Sequence, residues 1–319
     1  MAAIVNSSVV LPVSYAKGVI TGLVGRSKAL ELGYRLPNLT TKVHKLNVLQ
    51  NLPVAGWVKN SQSPANSEGS EINRKPISVL AWEGKDVTAE TIACIVPVSK
   101  ETLADVADYV DLAGLLQEQV IGAFQEVIDG TIFFGINSPW AGYNGIVADA
   151  TTAGAVVNWD GSEGTSFYRA ISQAMKKVEK SGYLPDAILG GPGLNSAFRD
   201  SITALGINVT DQGQIGSLYK HVSLTGGFDE DTAFAIVGDF KRGLVYAFRE
   251  EMSMEISKDA TIVDPTTGTA LYNLFQQNMV AFRFELRMGA AVANPVNRIN
   301  QTAKRFPFAI ITAPSEGSL

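Results

Sequence analysis

The residues that could carry catalysis are few and lie far apart along the chain. A glycine-rich segment at 190–193 follows a predicted strand and precedes a predicted helix, as a phosphate-binding loop would. It lacks the lysine and hydroxyl residue of a nucleotide-binding P-loop, and Pro192 removes an amide that would bind phosphate. The pattern therefore favours a simple turn between the strand and the helix.

Nucleophiles and metal ligands are equally sparse. The single cysteine, Cys94, lies in an apolar strand-like run, which favours a small buried side chain over a nucleophile. His44 and His221 have no cysteine or carboxylate cluster at ligand spacing, so we expect both to be ordinary surface residues. The acidic run at 229–231 lacks the spacing of a calcium loop and predicts a solvated turn. We expect no catalytic residue, no cofactor and no metal.

Composition and charge exclude further classes of protein. The chain has 319 residues, of which 46% are hydrophobic and 18% charged, which is typical of a globular protein long enough for two lobes. Its net charge of −5 argues against a protein that holds nucleic acid by neutralising phosphates. No apolar stretch reaches the roughly eighteen residues of a transmembrane helix, and the N-terminal residues do not resemble a secretory signal. We expect synthesis and retention in a cytoplasm.

The N-terminal third of the sequence predicts extended elements. Residues 1–50 alternate short apolar runs with turn formers, which indicates an arm with one short helix over 20–32. Residues 52–98 carry strand-like runs around a polar middle and predict a long hairpin with a mobile tip. Trp57 and Trp82 lie on its arms, where a two-stranded ribbon has no core to bury them. We expect both tryptophans to pack on a partner.

Regular elements follow the hairpin. Apolar residues at spacings of three, four and seven predict one helix from 103 to about 134, on the order of 45 Å long. The next region interleaves helical and strand-like patterns, which predicts an α/β or α+β lobe. The helices fall at 167–178 and 194–205, and the strands at 187–191, 233–237 and 244–256. A period-two run from Val280 to Met288 predicts a strand with one apolar and one charged face, and a polar, mobile tail closes the chain.

The order of these features resembles that of a known family. Arm, hairpin, Pro97-Val98-Ser99-Lys100, long helix, glycine turn at 135–146, mixed lobe and the strand at 282–292 together resemble the major capsid proteins of tailed bacteriophages. The resemblance covers about residues 10–300. It implies the α+β Hong Kong 97-type capsid fold, with an N-terminal arm, an extended hairpin loop, a peripheral domain with a long spine helix, and an axial domain.

The resemblance also implies domain boundaries and partners. The arm would be 1–51, the extended loop 52–96, the peripheral domain 97–147 with 248–301, the axial domain 148–247 and the C-terminal tail 302–319. The protein would be a non-enzymatic virion component, assembled in the host cytoplasm as pentamers and hexamers into an icosahedral shell around double-stranded DNA. Its partners would be its own copies, a portal and, where used, scaffolding or decoration proteins, with no sequence-specific DNA contact and no membrane. An encapsulin-like nanocompartment shell is the alternative.

The residues that we expect at subunit interfaces lie on the hairpin and on the alternating strand. They are Trp57, Lys59, Trp82, Lys85, Arg283, Glu285 and Arg287. For each of them, a solvated strand face or local hairpin packing is the alternative. Lys59-Asn60 stands where family members often carry Glu-Gly, which implies that the usual inter-subunit salt bridge is changed. No lysine–asparagine arrangement selects a covalent cross-link, so we expect none.

Overall fold

The architecture is mixed α+β, built on one four-stranded and one six-stranded sheet. The computed structural model describes residues 27–53, 78, 80–101, 112–160, 165–205, 214–215, 218–302 and 304–312. The helices and strands at the N-terminal end are α1 Lys28–Leu32, β1 Tyr34–Arg35, β2 Val43–Asn51, β3 Ala81–Thr88, β4 Glu90–Ser99 and α2 Leu112–Asp129. The next are α3 Ile146–Thr152, β5 Val156–Asn158, α4 Thr165–Lys180, β6 Ala187–Gly190, α5 Gly193–Leu205, β7 Gln214–Ile215 and β8 Leu218–Val222. The last are β9 Ala235–Gly238, α6 Phe240–Gly243, β10 Leu244–Ser257, β11 Thr261–Val263, β12 Ala270–Asn273, β13 Met279–Val292 and β14 Phe308–Thr312.

The four-stranded sheet contains the strand that the sequence predicts most clearly. Its order is β1-β10-β13-β4, and β13 lies antiparallel to both β10 and β4. Alternate β13 residues such as Phe284 and Leu286 belong to the same buried cluster as Phe124 and Ile128 of the long helix α2. The residues between them face the opposite side and carry charge. The alternation predicted for 280–288 is therefore confirmed.

The long helix is confirmed for the part of it that the structure describes. Helix α2 continues directly into a π-helix at Gly130–Phe134, and residues 102–111, where the prediction begins, lie outside the described residues. Gly135 ends the π-helix in the left-handed conformation, as glycine commonly does at a helix C-terminus.

The hairpin differs in position from its prediction. β2 pairs antiparallel with β3 from Val43↔Thr88 to Leu49↔Trp82, so the first strand begins within the range expected for the arm. The tip of the hairpin, residues 54–77, lies outside the described residues. The strand-like run at 91–98 pairs instead with β13, where it completes the four-stranded sheet. The pattern of apolar residues does not distinguish pairing within the hairpin from pairing with β13, because the strands available for either pairing are apolar on one face only.

The six-stranded sheet forms the second lobe, with order β5-β14-β9-β6-β8-β7. Helix α4 packs on β14 and β9, and the apolar residues of all three lie in one buried cluster. The predicted helices and strands between 165 and 257 are present, with ends shifted by a few residues.

The C-terminal region requires a correction. The range 302–319 was expected to form a tail, but Phe308–Thr312 forms the buried strand β14 between β5 and β9. Phe308, Ala309 and Ile311 are fully buried. The apolar run of this strand, Phe308–Ile311, has four residues and is too short for periodicity to identify it as a strand. Residues 313–319 lie outside the described part of the chain.

Gly135 lies against the backbone of Asn144 and Gly145 and so closes the turn after the long helix. Gly135 has φ +71°, and a Cβ there would overlap the backbone carbonyl of Asn144. Gly142, in the same turn, has φ +75° but open space around the Cβ position. These two glycines share a conformation and differ in the room available to a side chain.

We expect Gly135→Ala to destabilise the subunit by about 1–3 kcal/mol more than Gly142→Ala, because only at Gly135 must the backbone move to admit the methyl group. Chemical denaturation of the two purified variants measures the difference. Equal losses of stability would show that the left-handed conformation, and not the close contact with Asn144, requires glycine at 135.

Candidate assembly surfaces

The outer half of the hairpin leaves a tryptophan exposed. Val87 of β3 is buried against Val245 and Ala291 of the body, whereas residues 82–86 are exposed. Trp82 is 64% exposed, and Leu80 beside it is 52% exposed. Trp82 is therefore mostly exposed within the subunit, and its packing on a partner stays a prediction. Trp57 and Lys59, the other hairpin residues predicted at interfaces, lie outside the described residues.

Lys85 faces a cleft between the hairpin and the segment that follows β13. The cleft has a volume of about 620 Å³, and Glu83, Asn294 and Arg305 also line it. Desolvation lowers the pKa of Lys85, although Asp149 and Glu83 favour its charged form. These influences all come from its own chain. The interface role of Lys85 stays a prediction.

The charged face of β13 is paired within the subunit. Arg283 Nη2 lies 2.6 Å from Glu255 Oε2 on β10, and Arg283 Nε lies 3.3 Å from Glu285 Oε1. Arg287 Nη1 lies 3.0 Å from Glu250 Oε1, also on β10. Partly exposed pairs of this kind contribute little to stability, about 0–1 kcal/mol each. The predicted interface role of Arg283, Glu285 and Arg287 therefore rests on the resemblance, and the contacts within the chain neither add to it nor remove it.

Asp129, at the end of the long helix, connects three segments of the subunit by hydrogen bonds. Its side chain is fully buried. It accepts hydrogen bonds from Ser27 Oγ at 2.6 Å, from the backbone amides of Lys28 and Ala29 at 3.2 and 3.1 Å, and from Thr225 Oγ1 at 2.9 Å. Burial raises the pKa of Asp129, and the four hydrogen bonds oppose that rise. One carboxylate thus joins the start of α1, the long helix and the loop after β8.

His221 requires a second correction. It was expected at the surface without a carboxylate, but it lies half-buried on β8, and its Nδ1 is 3.4 Å from Glu31 Oε1 of α1. Lys28 Nζ lies 2.6 Å from the other oxygen of Glu31. Burial lowers the pKa of His221, Glu31 and Asp186 oppose this change, and Lys28 adds to it. The contact joins residues far apart in the sequence, so spacing could not reveal it.

We expect acid to weaken the fold through His221. Because its folded-state pKa lies below the unfolded value of about 6.5, its stabilising contribution is present above that value and falls as the pH drops through it. When the pH is lowered from about 7.5 to 5.5, the free energy of unfolding should fall in the natural protein. It should fall less in His221→Gln. The exposed His44→Gln is the control and should keep the natural slope. If the free energy of unfolding of His221→Gln changed with pH as steeply as that of the natural protein, His221 would not be the source of the acid sensitivity.

The glycine segment and the acidic run meet in space. Glu230 Oε1 accepts a hydrogen bond of 2.8 Å from the backbone amide of Gly193 at the start of α5. A Cβ on Gly191 would overlap that carboxylate, so glycine is needed for its approach. A carboxylate from the same chain thus occupies the N-terminus of this helix, where negative charge is favourable. This contact supports the turn expected at 190–193. It also corrects the prediction of a merely solvated turn at 229–231, since Glu230 caps a helix as well as forming part of that turn.

Cys94 is a half-buried free thiol on the apolar side of β4. Burial raises its pKa, which disfavours the thiolate that a nucleophile needs. Among the residues that the structure describes, no three His, Cys, Asp or Glu side chains form a group that could hold a metal ion. No helix in the same part of the chain is long and apolar enough to cross a membrane.

Two sheet lobes joined to one long helix, with a hairpin that projects an unburied tryptophan, define a capsid subunit of the Hong Kong 97-type fold. Solved structures show the same fold. A chain from Microbacterium phage Oxtober96 is 27% identical with a TM-score of 0.73, and the match covers 90% of this chain and 91% of that chain. A chain from Mycobacterium phage Adephagia is 24% identical with a TM-score of 0.75 and 90% coverage of each chain. The capsid of an empty GTA particle, computed with C5 symmetry, is 14% identical with a TM-score of 0.58 and 90% coverage of each chain.

The sequence itself identifies the family. The model of the phage capsid family matches residues 7–188, more than half of the chain. The chain therefore belongs to the phage capsid family and is a major capsid protein of a tailed phage, a subunit of the icosahedral shell of the virion. The nanocompartment alternative is not favoured. None of the curated proteins matches the sequence significantly.

Proposed function

We propose that this chain assembles as pentamers and hexamers into a shell that encloses double-stranded DNA, and that it does so without catalysis. The observation that carries the proposal is the outer hairpin. It holds Trp82 at the outer end of β3, and Leu80 just before that strand, more than half exposed, whereas Val87 near the inner end of β3 is buried. Large aromatic side chains are the residues that most often supply the binding energy of protein interfaces. A neighbouring copy that covers the hairpin would bury them.

The two lobes fit the two kinds of contact that a shell needs. We assign the six-stranded lobe to the five-fold and six-fold centres, and the four-stranded sheet with the long helix to the contacts between those centres. The six-stranded lobe corresponds to the axial range 148–247, except that β14 joins it and that Leu244–Ala247, at the start of β10, belong to the four-stranded sheet. We also propose that residues 97–147 and 248–301 form the peripheral domain, which contains the long helix and most of the four-stranded sheet. Because a closed shell repeats each interface in every copy, modest contacts add up to a stable assembly.

The other partners in the proposal follow from charge and from the resemblance. A chain with a net charge of −5 suits a wall that encloses DNA without sequence-specific contact. A portal and, where the phage uses them, scaffolding or decoration proteins complete the set.

Electron cryomicroscopy of particles purified from producing cells tests the proposal. We expect five-fold and six-fold centres surrounded by the six-stranded lobe, and nuclease-resistant double-stranded DNA in filled particles. Centres formed by the four-stranded sheet would contradict the assignment of the lobes. Filled particles that contain protein and no nucleic acid would contradict the enclosed genome.

A further inference from the structure

A small groove, here called the arm groove, lies between the long helix and the loop after β8. It has a volume of about 210 Å³, and the residues of its lining that matter here are Glu126, Val127, Gly130, Ile136, Gly226 and Asp229. An apolar cavity of roughly 150 Å³ can hold a benzene-sized group. The arm groove is therefore large enough for at least one branched aliphatic side chain.

The surface of the arm groove is apolar and well supported. Val127 on the long helix is 49% exposed, and Ile136 in the turn after it is 52% exposed, although the nearby Ile128 and Phe133 are buried. Leu224, in the loop that forms the other wall, is 82% exposed. A Cβ on Gly227 would overlap the backbone carbonyl of Glu126, so the loop packs on the helix at backbone distance. Apolar side chains on such a surface indicate that another segment covers them.

The chain enters the described part of the structure beside this groove. Ser27 and Thr225 both bond Asp129, which lies between Glu126 and Gly130 of the groove wall. Thr225 itself directly precedes Gly226 of the opposite wall. An extended chain covers about 3.3–3.6 Å per residue, so four or five residues before Ser27 reach at most about 13–18 Å from it.

The composition of the preceding segment complements the groove. Residues 1–26 contain no Asp or Glu, and their charged residues are Lys17 and Arg26. Glu126 and Asp229 supply two carboxylates to the groove, and neither has an ion pair with another described residue. The four residues before Arg26 include Leu23 and Val24.

We propose that the segment directly before Ser27 docks in the arm groove of its own chain, with Arg26 against Glu126 and with Leu23 or Val24 between Val127 and Ile136. The segment then covers the exposed apolar side chains of the groove, and its pairing neutralises a carboxylate on the rim. Docking within the chain fixes the direction in which the rest of the N-terminal arm leaves the subunit. It would therefore determine which neighbour the arm can reach in the shell.

A cysteine pair tests the docking directly in assembled particles. In a Cys94→Ser background, Val24→Cys combined with Ile136→Cys should form a disulfide within one chain after mild oxidation, seen by mass spectrometry of the linked peptide. Val24→Cys combined with Leu184→Cys, at a position 70% exposed on the other lobe, is the control and should remain unlinked. A product of two linked chains would show that a second copy fills the groove and would overturn the proposal. So would a yield no higher than in the control.

A charge exchange tests the pairing without cysteines. Glu126→Lys should make amide hydrogen exchange of residues 19–26 about two- to fivefold faster, the range that an exposed ion pair allows. Glu126→Lys with Arg26→Glu should restore the natural rate. Glu179→Lys makes the same charge change on an exposed face of α4 and should have no effect. Faster exchange in the control, or no restoration in the double variant, would contradict the Arg26–Glu126 contact.

Discussion

Asp129→Ala is expected to lower the free energy of unfolding of the unassembled subunit by more than about 3 kcal/mol, the upper value for a single hydrogen bond to a charged group. The carboxylate is fully buried and accepts four hydrogen bonds, so its removal leaves two amides and two hydroxyls without their acceptor. The loss should be larger than that for any exposed carboxylate, since water can replace the partners of an exposed group but not those of Asp129. Denaturant unfolding followed by tryptophan fluorescence measures it.

Two variants control this experiment. Asp129→Asn keeps the size of the side chain and one acceptor oxygen, so it should lie between the natural protein and Asp129→Ala. Asp231→Ala removes an exposed carboxylate and should change stability by no more than about 0.5 kcal/mol. If Asp129→Ala unfolded as Asp231→Ala does, Asp129 would not be the residue that joins the start of α1, the long helix and the loop after β8.

Trp82→Ala is expected to raise the lowest protein concentration at which shells form, with little effect on the stability of the subunit. A central aromatic side chain at an interface typically contributes about 2 kcal/mol or more, which corresponds to roughly 30-fold in the affinity of each contact. Because the side chain is 64% exposed within its own chain, its removal costs the isolated subunit little. Light scattering against protein concentration measures assembly, and a thermal melt of the unassembled chain measures folding.

Trp82→Phe is the matched variant for this prediction. It retains an aromatic ring of smaller size and should assemble at a concentration between those of the natural protein and Trp82→Ala. If Trp82→Ala formed shells at the same protein concentration as the natural protein, Trp82 would not be part of the contact between the hairpin and a neighbouring subunit. A large loss of thermal stability would instead show that Trp82 packs on its own subunit.

The elements that local patterns specify could be predicted from the sequence. The alternation of Phe282, Phe284 and Leu286 with charged residues defines β13, and the helical spacing that includes Val120 and Phe124 predicts the buried face of α2. The same spacing places Val127 on that face, but the structure leaves it 49% exposed. Both patterns repeat over many residues, so a single exception does not conceal them. The hairpin could be predicted as a ribbon, but its register and first strand could not, because several apolar runs were equally able to pair.

The contacts that join distant segments could not be predicted in the same way. Ser27 and Asp129 are separated by 102 positions, and a lone serine and a lone aspartate give no signal in the sequence. The pairs Arg283–Glu255 and Arg287–Glu250 become evident only once β10 and β13 are placed in register. Strand β14 is similar, since its four apolar residues can be recognised as a strand only from their position between β5 and β9.

The central claim is that copies of this chain build a closed icosahedral shell in which the hairpin lies on a neighbour. Electron cryomicroscopy of the particles that form when the chain is produced in bacteria and purified by size tests it most directly. We predict closed shells, tens of nanometres across, in which Trp82 is buried against an adjacent subunit. Shells in which Trp82 faces solvent, or a chain that remains monomeric at high concentration with crowding agents, would contradict the account.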